Sequence, residues 1–356
     1  MGGLYDQAQE QFSNIHLMPD DALYHFVSLE DARAFFDEQT AGLTEDIQCY
    51  IGQIPATDQQ DLWKLMSNYI PFQSAYVYYN QSEKQLNVTA RYYPGERILY
   101  ALRTGDDTVL SEDDKQAMAV AQELVAEAEN SDTMKTELYL YNWLCEHVKY
   151  DSPDMNVDID SYIKLRQLTC LGALLDGKAN CQGYTDAFYL LGNMAGFDVR
   201  RITGIGEGEN HSWNGILLDG KTYFVDVTFG DADEAGKSAK SYSWMNCAHD
   251  PQIYQIDGGI ETVPGLVTED DLSHTYYTYK ESVFEKLGDA SYYLLRQRKK
   301  HGKGWAYAVV QDRIVTNKEL EKSLKNNYRK AGLSAFNCAY FIEYYNGNSY
   351  ISIKWK

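Results

Sequence analysis

The sequence predicts an α+β protein, in which helices precede an antiparallel sheet in a central domain and a small module lies on each side. Apolar residues recur at helical spacing in residues 111–147 and again from Cys181, whereas residues 199–228 alternate as strands do. A similar order of helices and strands occurs before and after this centre. We expect an N-terminal extension at 1–22, a module at 23–110, a central domain at 111–274 and a C-terminal module at 275–356.

Two helices open the central domain. Ser111 is a suitable N-cap for a helix that reaches about Glu129, since this stretch is rich in Ala and Glu and has apolar residues at helical spacing. Asp132 and the serine before it can cap a second helix over residues 134–147, which has an apolar face that includes Trp143.

A third helix and three strands follow. The helix is expected to begin at or just after Cys181 and to stop near Gly196, with Tyr184, Ala187, Phe188, Leu191 and Met194 along one side. Strands are predicted at 199–205, 211–218 and 221–228. The dipeptide Asp219-Gly220 between the last two is a strong signal for a two-residue hairpin turn.

The two flanks have the same predicted order of elements. The N-terminal flank has a helix opening at Leu29, a strand near 46–52, a helix near 58–69 and a hairpin of residues 74–79 and 85–93. The C-terminal flank has a helix opening at Leu287, a strand at 305–310, a helix at 318–330 and a hairpin of 336–345 and 349–355. We interpret the flanks as an internal duplication of an αβαββ module. Chance similarity between two small α+β segments is the alternative.

Composition excludes several classes of protein. The 356 residues include 32 Lys and Arg against 52 Asp and Glu, a formal charge of -20. A chain this acidic repels phosphate backbones and anionic lipids, so neither nucleic acid nor an anionic membrane surface is an expected partner. Apolar runs are too short for a membrane span. Residues 1–22 lack a signal-peptide pattern. The 30 tyrosines and the acidity favour an extracytoplasmic protein, bacterial and secreted or at the cell surface, whose leader is absent from this chain.

Six cysteines are scattered along the chain without CxxC spacing, which argues against zinc, and no calcium loop is visible, so no cofactor is expected. Cys181 differs from the others because it stands where a helix begins. The partial positive charge of a helix N-terminus lowers a thiol pKa, and a nearby His can hold the released proton. The expected role of Gly183 is to keep the first helical turn open to a substrate. Cys181 is therefore the candidate nucleophile.

The hairpin supplies candidates for the base and for the group that orients it. Across the two-residue turn, Trp213 faces Asp226. His211 faces Thr228 and points to the same side as Trp213, because strand side chains alternate. Asp226 and His211 are then diagonal neighbours, about 7–8 Å apart at the backbone and within side-chain reach. An Asp in this position can accept a hydrogen bond from the imidazole and hold it towards the thiol.

These motifs resemble the transglutaminase-like superfamily of papain-type thiol enzymes. The resemblance rests on residues 177–184 (GKANCQGY), 211–214 (HSWN) and 219–228 (DGKTYFVDVT), and it covers about 131–232. It implies Cys181 as nucleophile, His211 as base and Asp226 as orienting residue, with the cysteine helix packed on an antiparallel sheet. The backbone N–H of the cysteine is the expected first oxyanion donor. Tyr150 and Gln167 are the candidates for the second donor, which the motifs do not place.

The resemblance implies attack on a peptide or carboxamide carbonyl through a Cys181 thioester. Transfer to water gives a cysteine peptidase or amidase, the favoured interpretation, and transfer to a lysine amine gives a transglutaminase. The substrate would be a peptide or protein amide, and a cell-wall peptide is one candidate. A different class also stays open: a catalytically silent glycan- or peptide-binding protein that uses its aromatic-rich flanks. A structural role for Cys181 is the last alternative.

Overall fold

The computed structural model describes residues 23–25, 28–51, 72–80, 82, 84–129, 131–154, 156–157, 159–162, 164–231 and 240–356. The helix predicted near 58–69 lies outside these ranges. The chain divides into two compact units. The first comprises Met1–Asn214 and Gln255–Pro264, and the second comprises Gly215–Tyr254 and Gly265–Lys356.

The described residues form both strands and helices. The strands are β1 (Tyr24–His25), β2 (Asp46–Tyr50), β3 (Phe72–Asn80), β4 (Gln85–Tyr92), β5 (Lys149–Tyr150), β6 (Lys178–Ala179), β7 (Asp198–Gly206), β8 (Glu209–Leu218), β9 (Lys221–Val225), β10 (Met245–Cys247), β11 (Tyr254–Ile256), β12 (Val283–Phe284), β13 (Gly304–Val310), β14 (Cys338–Tyr345) and β15 (Asn348–Trp355). The helices are α1 (Leu29–Ala41), α2 (Pro94–Thr104), α3 (Glu112–Ala128), α4 (Thr133–His147), α5 (Ile159–Tyr162), α6 (Cys181–Met194), α7 (Val227–Gly230), α8 (Tyr276–Tyr279), α9 (Leu287–His301) and α10 (Asn317–Asn327).

In the first unit, the N-terminal sheet has the order β1-β2-β4-β3. Helices α2, α3 and α4 and strand β7 all contact α6. Most of the α6 side chains are buried, which is what a helix contacted from several sides requires. Strand β7 lies between β8 and β11. The predicted helices over 111–129 and 134–147 are confirmed, and a capping box between Ser111 and Asp114 begins α3.

In the second unit, β9 lies between β8 and β10, and the C-terminal sheet has the order β12-β13-β15-β14. Helices α9 and α10 cover one face of that sheet, with Leu294, Leu320 and Ile351 in the shared core. The turn between β8 and β9 is the predicted one. Asp219 and Gly220 both have positive φ, 49° and 80°, as a tight turn matched to strand twist requires.

The two flanking sheets have the same topology. In each, a two-residue strand runs parallel to the next strand, with a helix between them, and the other neighbours are antiparallel. The αβαββ pattern expected from sequence therefore lacks one strand at its start, β1 or β12. Two residues are too few for an alternating pattern to be recognised. The common topology agrees with an internal duplication, which stays a hypothesis.

A buried ion network in the first unit joins α6 to β7 and α2. Arg201 of β7 donates to Glu96 Oε1 at 2.6 Å and to Asp186 Oδ1 at 2.5 Å, and its side chain is 11% exposed. Its guanidinium carbon lies 3.7 Å from the centre of the Tyr189 ring. Burial alone would lower the pKa of Arg201, but the two carboxylates outweigh it and raise the pKa. The charges are therefore compensated only while the three elements stay packed together.

Among the helices of the described residues, none is both long enough and apolar enough to cross a membrane.

Replacement of Arg201 by Gln should strongly destabilise the protein, because it leaves the carboxylates of Asp186 and Glu96 buried without their cation. We expect a loss of about 3–5 kcal/mol in the free energy of unfolding, measured by urea denaturation. The control is Arg91→Gln, which breaks the exposed 2.9 Å ion pair with Glu45. That loss should be below about 1 kcal/mol. Equal losses in the two variants would contradict a stabilising role for the network.

Candidate active site

Cys181 is the first residue of α6, as predicted. Asn180 is the N-cap, and its side-chain oxygen accepts a hydrogen bond from Gly183 N at 3.2 Å. The N-terminus of a helix of this length carries a partial positive charge, which favours a thiolate at its first residue. Cys181 is half-buried, whereas four of the six cysteines are buried. Its backbone and its surroundings therefore suit a nucleophile that a reagent can reach.

The backbone of Gln167 lies very close to the start of α6 and to the residue before it. Gln167 O accepts from Asn180 N at 2.9 Å. A Cβ on Gly183 would lie 2.3 Å from the same carbonyl oxygen. The expectation that Gly183 opens the helix to a substrate is therefore wrong, since the space beside it is filled by the backbone of Gln167. Glycine is required here for packing, and that packing brings Gln167 to the start of the cysteine helix.

Both candidates for the second oxyanion donor lie beside this segment. The backbone carbonyl of Gln167 accepts a hydrogen bond from Asn180 N. Its side-chain Nε2 donates to Asp151 Oδ2 at 3.4 Å. Tyr150 pairs with Ala179 in the parallel β5–β6 ladder and is 37% exposed. Each candidate is therefore joined through its backbone to one of the two residues that precede Cys181.

Two tyrosines lie near the start of α6. The Tyr162 hydroxyl and the Gln182 side chain are 3.4 Å apart. The guanidinium carbon of Arg201 lies 4.6 Å from the centre of the Tyr93 ring. Burial raises the pKa of the Tyr93 phenol. Tyr93 was not recognised as a candidate from sequence, because it precedes α2 and lies far from Cys181 along the chain. Tyr162 is half-buried and Tyr93 is buried.

His211 lies in β8 and is 8% exposed. Its ring stacks on Trp213, with 5.8 Å between ring centres and 19° between ring planes. The ring also occupies the space in which a side chain at position 206 would stand, since a Cβ on Gly206 would lie 2.6 Å from His211 Cδ2. Gly206 and Trp213 therefore restrict where the imidazole can lie. Sequence reasoning missed Gly206, although a glycine inside a strand is a known sign of a close approach.

Asp226 is fully buried and directly follows β9. The predicted strand over 221–228 is too long, because the strand ends at Val225 and Thr228 lies in α7. Asp226 is the N-cap of that short helix, and its Oδ1 accepts from Phe229 N at 3.0 Å. Capping by a side chain competes with continuation of the strand, which explains the early end. Oδ2 accepts from the Tyr254 hydroxyl at 2.8 Å.

The three sequence-predicted residues are thus distributed over α6, β8 and the end of β9. Cys181 and His211 belong to the first compact unit and Asp226 to the second. Strand β8 carries His211 and continues through Leu218 into the two-residue turn, after which β9 leads to Asp226. Their joint action as a triad is a hypothesis. Among the described residues, no group of three His, Cys, Asp or Glu side chains could hold a metal ion.

This architecture defines a class of α+β proteins in which a cysteine begins a central helix, a histidine lies in an antiparallel strand and an aspartate follows the next strand. Residues 118–229 match the family model of the transglutaminase-like superfamily. The matched range includes Cys181, His211 and Asp226. The family resemblance and the predicted fold class are confirmed.

Individual relatives are distant. Kyphoscoliosis peptidase of Homo sapiens is 25% identical over 103 residues, which cover 26% of this chain and 15% of the peptidase. Among solved structures, a TGase is 14% identical with a TM-score of 0.29, covering 51% of this chain and 50% of that chain. A proposed cysteine protease from Cytophaga hutchinsonii is 14% identical with a TM-score of 0.26, covering 44% of this chain and 62% of that chain.

The contact between Gly206 and the imidazole is directly testable. Gly206→Ala should force the His211 ring to move, because the new methyl group cannot fit at 2.6 Å from Cδ2. We expect a loss of about 1–3 kcal/mol in the free energy of unfolding and a shifted NMR resonance of the His211 ring. The control is Gly288→Ala, where the new Cβ meets no atom within 4 Å. An unshifted His211 resonance in Gly206→Ala would show that the ring is held in another way.

Proposed function

We propose that the protein is a cysteine peptidase or amidase in which Cys181 is the nucleophile, His211 the general base and acid, and Asp226 the residue that orients His211. The observation that carries this proposal is the place of Cys181, half-buried at the first position of a long central helix inside the superfamily segment. Four of the other five cysteines are buried, and burial raises the pKa of the fifth, Cys338.

The course of β8 and β9 supports the pairing of His211 with Asp226. The two strands are neighbours joined by a two-residue turn, so residues near their far ends are brought close in space. Asp226 is buried, and a buried carboxylate requires hydrogen-bond partners. Two of its partners are known, Phe229 N and the Tyr254 hydroxyl. Each carboxylate oxygen can accept more than one hydrogen bond, so Asp226 retains capacity for the imidazole N–H.

The proposed reaction has two halves. The Cys181 thiolate attacks the carbonyl carbon of the amide, and a C–S bond forms. As the C–N bond breaks, the His211 imidazolium gives its proton to the leaving amine. His211 then takes a proton from water, the hydroxide adds to the thioester carbon, and the C–S bond breaks. The products are a carboxylic acid and the regenerated thiolate–imidazolium pair, so all atoms and charges balance.

The oxyanion of each tetrahedral intermediate needs two donors. The backbone N–H of Cys181 is the first donor that we propose, because the initial N–H groups of a helix have no partner within the helix. We propose Gln167 as the second. Its backbone is fixed against Asn180 and Gly183, and Nε2 keeps one N–H when the other is donated to Asp151.

The substrate class that we propose is a peptide or protein amide, and a cell-wall peptide is the first compound to test if the protein is extracytoplasmic. The similarity to a relative named a peptidase supports water as the acceptor over an amine.

The thiolate–imidazolium pair can be detected by alkylation before a substrate is known. Cys181 should react with iodoacetamide at pH 6 at least about tenfold faster than Cys338, because the helix N-terminus and the proposed base His211 both activate its thiol. His211→Ala should abolish the difference, whereas the control His301→Ala, at the exposed end of α9, should not. Rates are measured for each cysteine by mass spectrometry. Equal rates at Cys181 and Cys338 in the wild-type protein would refute the proposed nucleophile.

The acceptor can be identified by running the reaction on glutamine-containing and cell-wall peptides in ¹⁸O-labelled water with a labelled primary amine present. We expect one ¹⁸O atom in the newly formed carboxyl group and no incorporated amine, because water completes the second half of the reaction. Cys181→Ala is the control and should give neither product. Incorporation of the amine without ¹⁸O-labelled acid would instead identify a transglutaminase.

A further inference from the structure

The buried side chain of Tyr254 is an unexplained feature of the second unit. It is fully buried, and its ring packs edge-on against Phe224 and Trp244, with ring centres 5.3 and 6.3 Å apart. Its backbone is fixed as well, since its N–H donates to Asp250 O at 2.9 Å and its carbonyl lies 3.2 Å from His249 Nε2. A phenylalanine would fill such an apolar pocket without the cost of burying a hydroxyl.

The hydroxyl of Tyr254 has a defined partner, since it donates to Asp226 Oδ2 at 2.8 Å. Burial raises the pKa of this phenol well above its usual value, and the Asp226 charge raises it further. Tyr254 therefore keeps its proton and acts as a donor over the whole pH range in which an enzyme works. Together with the N–H of Phe229 on Oδ1, it fixes both oxygens of the carboxylate.

We propose that Tyr254 is a positioning residue that orients the Asp226 carboxylate towards His211 and draws on its negative charge; this rests on the proposed function. A phenol that donates to a carboxylate withdraws part of its negative charge and limits its rotation. The remaining charge determines how strongly Asp226 stabilises the His211 imidazolium. Tyr254 thereby adjusts the pH range in which the thiolate–imidazolium pair exists, without contact with a substrate.

Other titratable groups near Asp226 and Tyr254 have to be separated from this effect. Burial raises the pKa of Cys247 to about 12 and raises that of Tyr345 well above its usual value, so both stay neutral at ordinary pH. Burial lowers the pKa of His249. The remaining acidic neighbour, Asp250, is bound to the backbone of Gln252. Because several titratable groups lie nearby, a pH profile of the whole protein would not isolate the effect of Tyr254. The pKa of the His211 ring therefore has to be measured directly.

The test follows the His211 ring by NMR titration of the full chain labelled with ¹³C-histidine, and His211→Ala assigns its signal among the seven histidines. In Tyr254→Phe, the negative charge on Asp226 is no longer shared with the phenol. We expect the His211 pKa to rise by roughly half a unit or more. The matched control is Tyr277→Phe, a fully buried tyrosine whose hydroxyl has no hydrogen-bond partner among the described residues. That variant should leave the His211 pKa unchanged.

An unchanged His211 pKa in Tyr254→Phe, or an equal rise in Tyr277→Phe, would overturn the proposal. Asp226→Asn separates this failure from a failure of the proposed function, because it should lower the His211 pKa if the two residues are paired. No change in Asp226→Asn would refute the pairing itself. If Tyr254→Phe does not fold, 2,3-difluorotyrosine at position 254 keeps the hydroxyl and makes it a stronger donor. The His211 pKa should then fall, and a rise or no change would overturn the proposal.

Discussion

The buried guanidinium of Arg201 is the constraint on which the arrangement around the cysteine helix depends. Arg201 is stable there only because Asp186 of α6 and Glu96 of α2 reach it together. Asp186 also accepts from Cys170 N at 2.8 Å, so the same carboxylate holds the segment that leads to the helix. The absence of a side chain at Gly95 leaves room for this carboxylate, since a Cβ there would lie 2.6 Å from Asp186 Oδ1. Charge compensation in the first unit thus helps to hold the helix that begins at Cys181.

Around this network, the candidate site is assembled by contacts that only glycine permits. Gly183 lets the cysteine helix approach the carbonyl of Gln167, and Gly206 leaves room for the ring of His211. Gly172 permits a further close approach, since a Cβ there would lie 2.5 Å from the carbonyl oxygens of both Arg166 and Lys178. Side chains at these positions would push apart the segments that carry the proposed chemistry, so the site depends on the backbone as much as on its reactive groups.

Asp226 shows how a structural role and a proposed chemical role combine in one residue. It caps α7 through Oδ1, receives the Tyr254 hydroxyl on Oδ2 and donates its own N–H to Trp244 O at 2.8 Å. Each of these contacts restricts the carboxylate, and a restricted carboxylate is what a histidine of fixed orientation needs. The short strand β9 and the helix after it are therefore consequences of placing a charge in a buried site.

The sequence by itself determined the helices of the central domain, the start of α6 at Cys181 and the turn at Asp219-Gly220, because caps, helical periodicity and turn residues act within a few positions. It also identified the superfamily from local motifs. Only the tertiary structure decided the end of β9 at Val225, the contact of Gly206 with His211 and the partners of Arg201 and Tyr254. These depend on residues distant in sequence, and burial, which makes such contacts necessary, cannot be read from local patterns.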